Sequence, residues 1–186
     1  MKPDQENEAI LNVLNGKREA YALLVDAYKT QIFNLAYRMT GNYEDASDLS
    51  QDTFIKAYQN LRQFDTGKRF FTWLYTIGLN LIRNHLKKRG RDLSREMTAR
   101  TFPDSALEIG VDPRMEQNLI KAQEIRRLEI CLQKLPADLR EAVVLRFYQD
   151  LSFEEIATIS DASLSAVKMR VYRGLDKLKQ LVLAGK

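Results

Sequence analysis

Apolar residues recur at helical spacing along most of this chain, and the alternation that marks strands is almost absent. One stripe repeats every three or four positions after residue 18: Tyr21, Leu24, Val25, Tyr28, Ile32, Leu35, Ala36 and Met39. A stripe with that period buries one side of a helix. Gly41 follows it and is placed to end the helix, because glycine readily adopts the left-handed conformation. The pattern predicts an all-α protein.

The same periodicity predicts further helices on both sides of one interruption. Before the interruption, the predicted helices are 6–15, 18–40, 43–61 and 71–88, the last closed by Gly90. After it, they are 116–134, 137–148, 152–160 and 164–183. Between residues 92 and 112 the charges are mixed, large apolar residues are few, and Pro103 and Pro113 stand in or beside the stretch. We predict two small helical domains, 1–91 and 114–186, joined by a flexible linker over 92–113.

Charge follows the same division. Residues 1–90 hold 13 basic and 10 acidic side chains, 91–119 hold 4 and 6, and 120–186 hold 12 and 9. Two basic blocks separated by an acidic one are typical of two nucleic-acid-binding modules. Cys131 is the only cysteine, which excludes an internal disulfide and a cysteine-rich metal site. With no signal-peptide pattern and no apolar run long enough to span a membrane, we predict a cytoplasmic protein.

An aromatic cluster passes into a basic helix between residues 70 and 91, FFTWLYTIGLNLIRNHLKKRGR. Four aromatic residues fall within six positions: Phe70, Phe71, Trp73 and Tyr75. Six cations follow between Arg83 and Arg95, opposed by Asp92 alone. Aromatic faces stack on unpaired bases while Lys and Arg hold phosphates, so the pattern indicates a single-strand surface. A large indole is usually mostly buried, so we expect Trp73 in the core, and structural roles for Phe70 and Tyr75 stay open.

Residues 152–173 have the form of a helix-turn-helix. Ser152 stands three residues before Glu155, the spacing of a capping box, and Ser163 is placed to cap the second helix. Asp161 occupies the turn and tolerates the left-handed conformation. One face of the second helix is apolar: Leu164, Val167, Val171, Leu175 and Leu178. The opposite face holds Ser165, Ala166, Met169 and Arg173, flanked by Lys168 and Arg170. This arrangement suits insertion into a major groove; the alternative is an ordinary amphipathic hairpin.

The third predicted helix presents an acidic face. Its polar residues are Glu44, Asp45, Asp48, Gln51 and Asp52. Carboxylates repel DNA, so we predict that this face meets a basic protein surface, the alternative being a solvated face without a partner.

Three stretches in this order resemble one family. DASDLSQDTFIKAY, FFTWLYTIGLNLIRNHLKKR and LPADLREAVVLRFYQDLSFEEIATISDASLSAVKMRVYRGLDKLK are similar to the extracytoplasmic-function group of bacterial RNA polymerase sigma factors. The resemblance covers nearly the whole chain apart from the linker. It implies a promoter-specificity subunit that is not an enzyme and uses no cofactor or metal. The implied partners are core RNA polymerase (β′ clamp helices and β flap), promoter DNA as duplex and as melted strand, and an anti-sigma factor.

The resemblance also implies a role for individual residues. It assigns polymerase binding to Asp48, Gln51, Asp52 and Phe54. It assigns promoter melting to Phe71, Trp73, Leu74 and Tyr75. Recognition of the −10 element falls to Asn80, Arg83, Asn84, Lys87 and Lys88, aided by the loop at 65–69. Recognition of the −35 element falls to Ser163, Ser165, Ala166, Lys168, Met169, Arg170 and Arg173. Asp161, Ala166, Met169 and Gly78 depart from the group's usual residues, and Gly78 is expected to add flexibility to its helix.

Two other functions stay open on the sequence alone. A free-standing helix-turn-helix regulator would bind duplex DNA without polymerase, but it leaves the acidic helix and the aromatic cluster unexplained. An RNA-binding or protein-interaction helical module is the second alternative. Binding of structured RNA in preference to promoter DNA would favour it.

Overall fold

The structure, a computed structural model, describes residues 1, 3–95 and 115–184 of the 186-residue chain. For residues 3, 91–95 and 115–122 it describes the helical backbone alone. Every regular element in the described ranges is helical, as predicted. The N-terminal half contains α1 (Pro3–Leu14), α2 (Tyr21–Thr40), α3 (Tyr43–Asn60) and α4 (Phe70–Arg95). The C-terminal half contains α5 (Met115–Gln133), α6 (Ala137–Val143), α7 (Phe153–Ser160) and α8 (Leu164–Ala184).

The apolar stripes of α2 and α3 form the centre of the N-terminal half. The inward residues of α2 are Leu24, Tyr28, Ile32, Leu35, Ala36 and Met39, with Tyr21 and Val25 at the margin of the core. Those of α3 are Ala46, Leu49, Thr53, Phe54 and Ala57. Gly41 adopts a φ of 69° and ends α2, and Asn42 then caps α3 by accepting a hydrogen bond from the Asp45 amide. The buried stripe of α2 and its end at Gly41 confirm the prediction.

The predicted end of α4 at Gly90 is wrong. The helix continues to Arg95, beyond the domain boundary that the sequence suggests at residue 91. Among the described glycines, only Gly16 and Gly41 adopt a positive φ, which is the conformation that ends a helix. Gly90 stays helical, and a Cβ at that position would meet no described atom within 4 Å beyond its own chain neighbours and helix backbone. Most of the predicted linker, residues 96–113, lies outside the described residues.

Two glycines bring helices into close contact, one in each half. A Cβ on Gly78 of α4 would stand 3.3 Å from the Thr53 side chain of α3. Gly78 is buried, and its missing Cβ lets the two helices approach each other. Its role in the structure is therefore packing, whereas the sequence suggested flexibility. A Cβ on Gly174 of α8 would stand 2.6 Å from Val143 Cγ2 and 3.1 Å from the Leu139 carbonyl oxygen of α6.

The two halves pack against each other rather than standing apart. Their buried apolar side chains form one contiguous cluster, which includes Cys131, Leu132 and Val144 of the C-terminal half. Cys131 is a free, buried thiol in α5. None of the described helices combines the length and apolar content that a membrane crossing requires.

Candidate nucleic-acid and polymerase interfaces

The aromatic cluster at the start of α4 belongs mainly to the core. Phe70 and Tyr75 are fully buried, and the Phe70 ring packs edge-on against Phe64 with 5.6 Å between centroids. Trp73 is partly buried and also packs on Phe64, with 5.1 Å between centroids. Phe71 is likewise only partly exposed, and its ring lies 4.3 Å from that of Tyr75. An open aromatic platform, the first expectation for this stretch, is therefore wrong.

Two buried tyrosines fix this cluster to its surroundings. Tyr28 donates a hydrogen bond to a Glu6 carboxylate oxygen, and Tyr75 donates one to Gln149 Oε1 of the C-terminal half at 2.7 Å. Burial raises the pKa of the Tyr75 hydroxyl above its usual range, because a phenolate there would lose its hydration. Burial also raises the pKa of Tyr28, helped by the hydrogen bond to Glu6. Both side chains act as neutral donors.

The polar face of α4 follows the aromatic cluster. Four of the five residues assigned to −10 recognition lie exposed along it: Asn80, Asn84, Lys87 and Lys88. The fifth, Arg83, is partly buried, because its guanidinium contacts the C-terminal half. Its Nε and Nη2 donate hydrogen bonds of 2.8 and 2.7 Å to the two carboxylate oxygens of Glu141 in α6.

Glu141 was not among the site residues predicted from the sequence. Its side chain is 7 % exposed and accepts a further hydrogen bond of 2.9 Å from the Ser160 hydroxyl. Arg83 also reaches the Ser160 carbonyl oxygen at 3.4 Å. Sequence reasoning missed this pairing because 58 residues separate the two partners.

The end of α4 is tied to the acidic third helix. Arg89 Nη1 donates a 2.9 Å hydrogen bond to Asp45 Oδ2, and His85 Nε2 lies 3.3 Å from the same oxygen. Asp45 thus serves the packing of α4 on α3 and does not belong to a free acidic surface. Lys87 and Lys88 stay exposed beside this pairing.

The outward face of α3 carries three of the four residues assigned to polymerase binding. Asp48, Gln51 and Asp52 are exposed. Phe54 is 8 % exposed and packs in the core, so direct contact through this ring is not what the structure provides. The reason is helix geometry: Phe54 lies on the same side as the buried Thr53 and Ala57, away from the acidic row.

An apolar cleft adjoins this acidic row and was missed at the sequence level. It has a volume of 680 Å³ and lies between the start of α2 and the end of α3. Ile55 and Tyr58 line it and are 53 % and 39 % exposed. Ile55 follows Asp48 and Asp52 along one face of α3. An apolar residue on this otherwise polar face was the sequence signal that could have indicated the cleft.

Local sequence determines the turn between α7 and α8. Ser152 Oγ accepts from the Glu155 amide at 3.1 Å, and the Glu155 carboxylate accepts from the Ser152 amide at 2.9 Å, which completes the predicted capping box. Asp161 adopts the left-handed conformation, with φ 49° and ψ 53°. Ser163 Oγ then accepts from the Ala166 amide at 3.2 Å and caps α8. All three predictions are confirmed.

The first turns of α8 present the residues assigned to −35 recognition. Ser163, Ser165, Lys168, Met169 and Arg173 are exposed, while Ala166 and Arg170 are partly buried. On the opposite face Val167, Val171 and Leu178 are buried, as predicted. Leu164 differs from the prediction because it is 37 % exposed at the first position of the helix, before the contact with the core begins.

Two aromatic residues border this face of α8. Tyr172 is 63 % exposed and was not singled out in the sequence. Phe153 of α7 lies beneath Lys168, whose Nζ stands 5.7 Å from the ring centroid, and Arg146 lies 5.3 Å from the same ring. These cation–π contacts hold two positive charges near the start of α8.

The fold and its surfaces define a two-module helical protein with a basic polar helix in one half and a capped helix-turn-helix in the other. The family model for sigma-70 region 2 matches residues 24–92, and the model for sigma-70 region 4 matches residues 125–178. The chain is 33% identical to the sigma factor SigW of Bacillus subtilis, over 92% of this chain and 93% of that protein. It is 34% identical to the sigma-H factor of Pseudomonas aeruginosa, over 97% and 96% of the two chains.

Solved structures agree with these matches. CnrH, in complex with the cytosolic domain of CnrY, superposes with a TM-score of 0.70 at 26% identity, covering 98% of this chain and 99% of that one. The sigma factor RpoE of Bartonella quintana, in complex with the anti-sigma factor NepR, shares the fold with a TM-score of 0.69, covering 89% and 98%. The chain belongs to the extracytoplasmic-function group of RNA polymerase sigma factors. It is an alternative sigma factor, and its relatives are transcription initiation factors.

Proposed function

We propose that three surfaces of this sigma factor divide the work of promoter recognition. Residues 1–91 act as the module for polymerase docking, −10 recognition and melting, 92–113 act as the linker, and 114–186 act as the −35 module. One observation supports this division above the others. The side chains of Asn80, Asn84, Lys87 and Lys88 on α4 and most polar side chains in the first turns of α8 are exposed, on separate modules.

The polar face of α4 would read the −10 element as a melted strand. The exposed amides of Asn80 and Asn84 can hydrogen-bond base edges, while Arg83, Lys87 and Lys88 offer positive charge to the backbone. Extruding a base costs a few kcal/mol, which stacking and hydrogen bonds in a pocket recover. Strand separation would then be driven by binding energy, so the chain needs no enzymatic activity of its own.

The start of α8 would read the −35 element in the major groove. Ser163, Ser165 and Lys168 stand at the N-terminal end of the helix, where a recognition helix contacts base edges. Arg173 lies two turns further along the exposed face and suits a phosphate or guanine contact. Ala166, Met169 and Arg170 would line the contact at its centre.

The outward face of α3 would dock on core RNA polymerase. Asp48, Gln51 and Asp52 suit a basic surface such as that of the β′ clamp helices, and the cleft lined by Ile55 and Tyr58 adds apolar area beside them. Phe54 would act by supporting this wall from inside. The C-terminal half would meet the β flap.

An anti-sigma factor would control the chain, which we expect to act in the cytoplasm. The similar structure of CnrH is a complex with the cytosolic domain of CnrY, and that of RpoE is a complex with the anti-sigma factor NepR. The exposed apolar and acidic surfaces of α3 are candidate targets for an inhibitor.

Reconstituted transcription tests the proposal. Core polymerase is incubated with this chain and a library of promoters with randomised −10 and −35 elements, and the transcribed sequences are selected. We expect transcripts only when the chain is present, with enrichment at both elements. The absence of transcripts from any sequence would contradict the proposal.

Two variants separate the modules in the same assay. Asn80→Ala combined with Asn84→Ala should relax selection at −10 alone. Arg173→Ala should relax selection or weaken binding at −35 alone, by about 1–3 kcal/mol if it reads a base. Lys29→Ala, which changes an exposed residue of α2 that pairs with Asp26 of the same helix, is the matched control. Equal effects of the three variants on both elements would contradict the division.

A further inference from the structure

Arg83 is the one −10 candidate whose donors are already occupied. Its Nε and Nη2 meet both oxygens of Glu141 in the parallel, two-pronged geometry by which arginine also binds a phosphate. A carboxylate so placed uses the donors that a nucleic-acid strand would need. The neighbouring candidates Asn80, Asn84 and Lys87 carry no such partner from the C-terminal half in the described structure.

The position of Glu141 is fixed by contacts within the C-terminal half. It projects from α6 with a buried side chain, and the Ser160 hydroxyl at the end of α7 orients one of its oxygens. A buried carboxylate that lost its arginine would keep its charge in a poorly solvated site, which is costly. Separation of Arg83 from Glu141 is therefore unfavourable unless the two halves rearrange so that water or another cation reaches the carboxylate.

Other contacts across the same interface act together with this pair. Tyr75 bonds to Gln149, and the Gln133 amide donates to the Arg38 carbonyl oxygen at 2.8 Å. Arg140 Nη1 donates to the Met39 carbonyl oxygen at 2.5 Å, so two residues of the C-terminal half satisfy the free carbonyl groups at the end of α2. The C-terminal half is thus docked along α2 and α4.

This docking places α6 beside the polar face of α4. A groove of 360 Å³ separates them, with Arg83, Leu86 and Lys87 on one wall and Asp138 and Glu141 on the other. The two acidic residues face the side of α4 that the proposed function gives to DNA. Their charge repels a phosphate backbone, while the side chain of Glu141 occupies the arginine.

We propose that Glu141 is an internal competitor of promoter DNA, which holds the free chain in a closed state with Arg83 of the −10 surface paired to its own C-terminal half. Binding of the −10 strand at Arg83 requires this pair to separate and the two halves to move apart. The inference rests on the proposed role of α4, and it adds a contact that restrains the free protein from binding single strands.

Strand binding by the full-length chain tests this proposal. The probe is a fluorescent single-stranded oligonucleotide that carries the −10 sequence selected in the transcription experiment, and a duplex with the selected −35 sequence serves as a second probe. Glu141→Gln keeps the shape and the Ser160 contact but removes the charge. It should lower the strand Kd about five- to tenfold and leave the duplex Kd within about twofold.

Two further variants distinguish two explanations for tighter strand binding: the opening of a closed state and the removal of a negative charge. Glu154→Gln removes an exposed charge from α7 of the same half and should change the strand Kd less than about twofold. Gln149→Ala is neutral and removes the Tyr75 contact, so it should lower the strand Kd about twofold. Circular dichroism of each variant checks that the helices remain folded.

Equal strand affinities for Glu141→Gln and Glu154→Gln would overturn the inference, because charge alone would then explain the gain. If Glu141→Gln does not fold, Gln149→Ala decides: tighter strand binding supports the closed state, and unchanged binding overturns it. Selection at −10 with unchanged strand affinity in all variants would overturn this inference but leave the proposed function intact. Absence of −10 selection in the holoenzyme would overturn both.

Discussion

Helices α4 and α8 resemble each other in sequence pattern but differ in what covers them. Both are long, both carry an apolar and a basic face, and both pack against a neighbour through a glycine, Gly78 in one and Gly174 in the other. The recognition face of α8 is open at Ser165 and Arg173. The corresponding face of α4 is restrained by Glu141 from the other half.

This difference shows that an amphipathic basic helix does not determine its own accessibility. On α8 the inward face satisfies the packing requirement within one small module, so the outward face is left to solvent. On α4 the aromatic start of the helix packs mainly within its own half, although Tyr75 bonds to Gln149, and the middle of its polar face contacts α6 and α7. Recognition by α8 should therefore be available in the free chain, whereas recognition by Arg83 of α4 should depend on a rearrangement.

The largest expected effect concerns the glycine of α8. Gly174→Ala would place a Cβ 2.6 Å from Val143 and 3.1 Å from a backbone oxygen of Leu139, and backbone cannot yield cheaply. We expect a loss of about 2–3 kcal/mol in the free energy of unfolding. Urea unfolding followed by far-UV circular dichroism measures it.

Gly90→Ala in α4 is the matched control for that experiment. It adds the same methyl group at a helical position where the new Cβ would meet no described atom within 4 Å beyond its chain neighbours and its own helix backbone. Because alanine favours helix over glycine, a gain of up to about 1 kcal/mol is expected. Similar results for the two variants would show that the contact between α6 and α8 is not tight.

The second effect concerns the stability of the protein at alkaline pH. It tests Tyr75, which bonds to Gln149 of the other half. Burial raises the pKa of Tyr75 above the ordinary value near 10. Below pH 10 the phenol is protonated in both states, so its full contribution is present. Above pH 10 the unfolded chain releases the proton first, and stability should fall by about 1.4 kcal/mol per pH unit for this group until the folded pKa is reached. Urea unfolding at pH values from 8 to 11 measures the slope.

Tyr75→Phe tests the origin of that slope. At pH 8 the variant should be less stable by about 1 kcal/mol, because the bond to Gln149 is lost. Above pH 10 its stability should fall less steeply than that of the wild type, so the difference should shrink. Parallel curves over the whole range would contradict a buried, neutral Tyr75.

The smallest effect concerns the glycine of α4. Gly78→Ala would place a Cβ 3.3 Å from Thr53 Cγ2 and Oγ1, a contact with a side chain rather than with backbone. The helix-propensity gain offsets most of the crowding, so we expect a net loss below about 1 kcal/mol by the same urea assay. In a Thr53→Ser background, which removes the methyl group, the alanine should become neutral or stabilising. A loss as large as that of Gly174→Ala would remove the contrast between the two helices.

Most predictions that depended only on residues close in the sequence were accurate, and the end of α4 is the exception. The capping box of Ser152 and Glu155, the cap at Ser163 and the left-handed Asp161 all involve atoms within a few residues of each other. Helical periodicity likewise located the buried stripe of α2. The end of α4 was mispredicted because Gly41 and Gly90 offer the same local signal, and only the surrounding packing distinguishes them.

For the candidate sites, the amino-acid sequence alone determined which helices carry the exposed polar residues, because helical period and side-chain chemistry are local properties. It could not determine how far the aromatic cluster at the start of α4 is buried, since the neighbours that bury it come from other helices. The pairing of Arg83 with Glu141 was likewise decided only by the tertiary structure. Its geometry depends on how two modules dock, and that docking arises from contacts spread over α2, α4, α6 and α7.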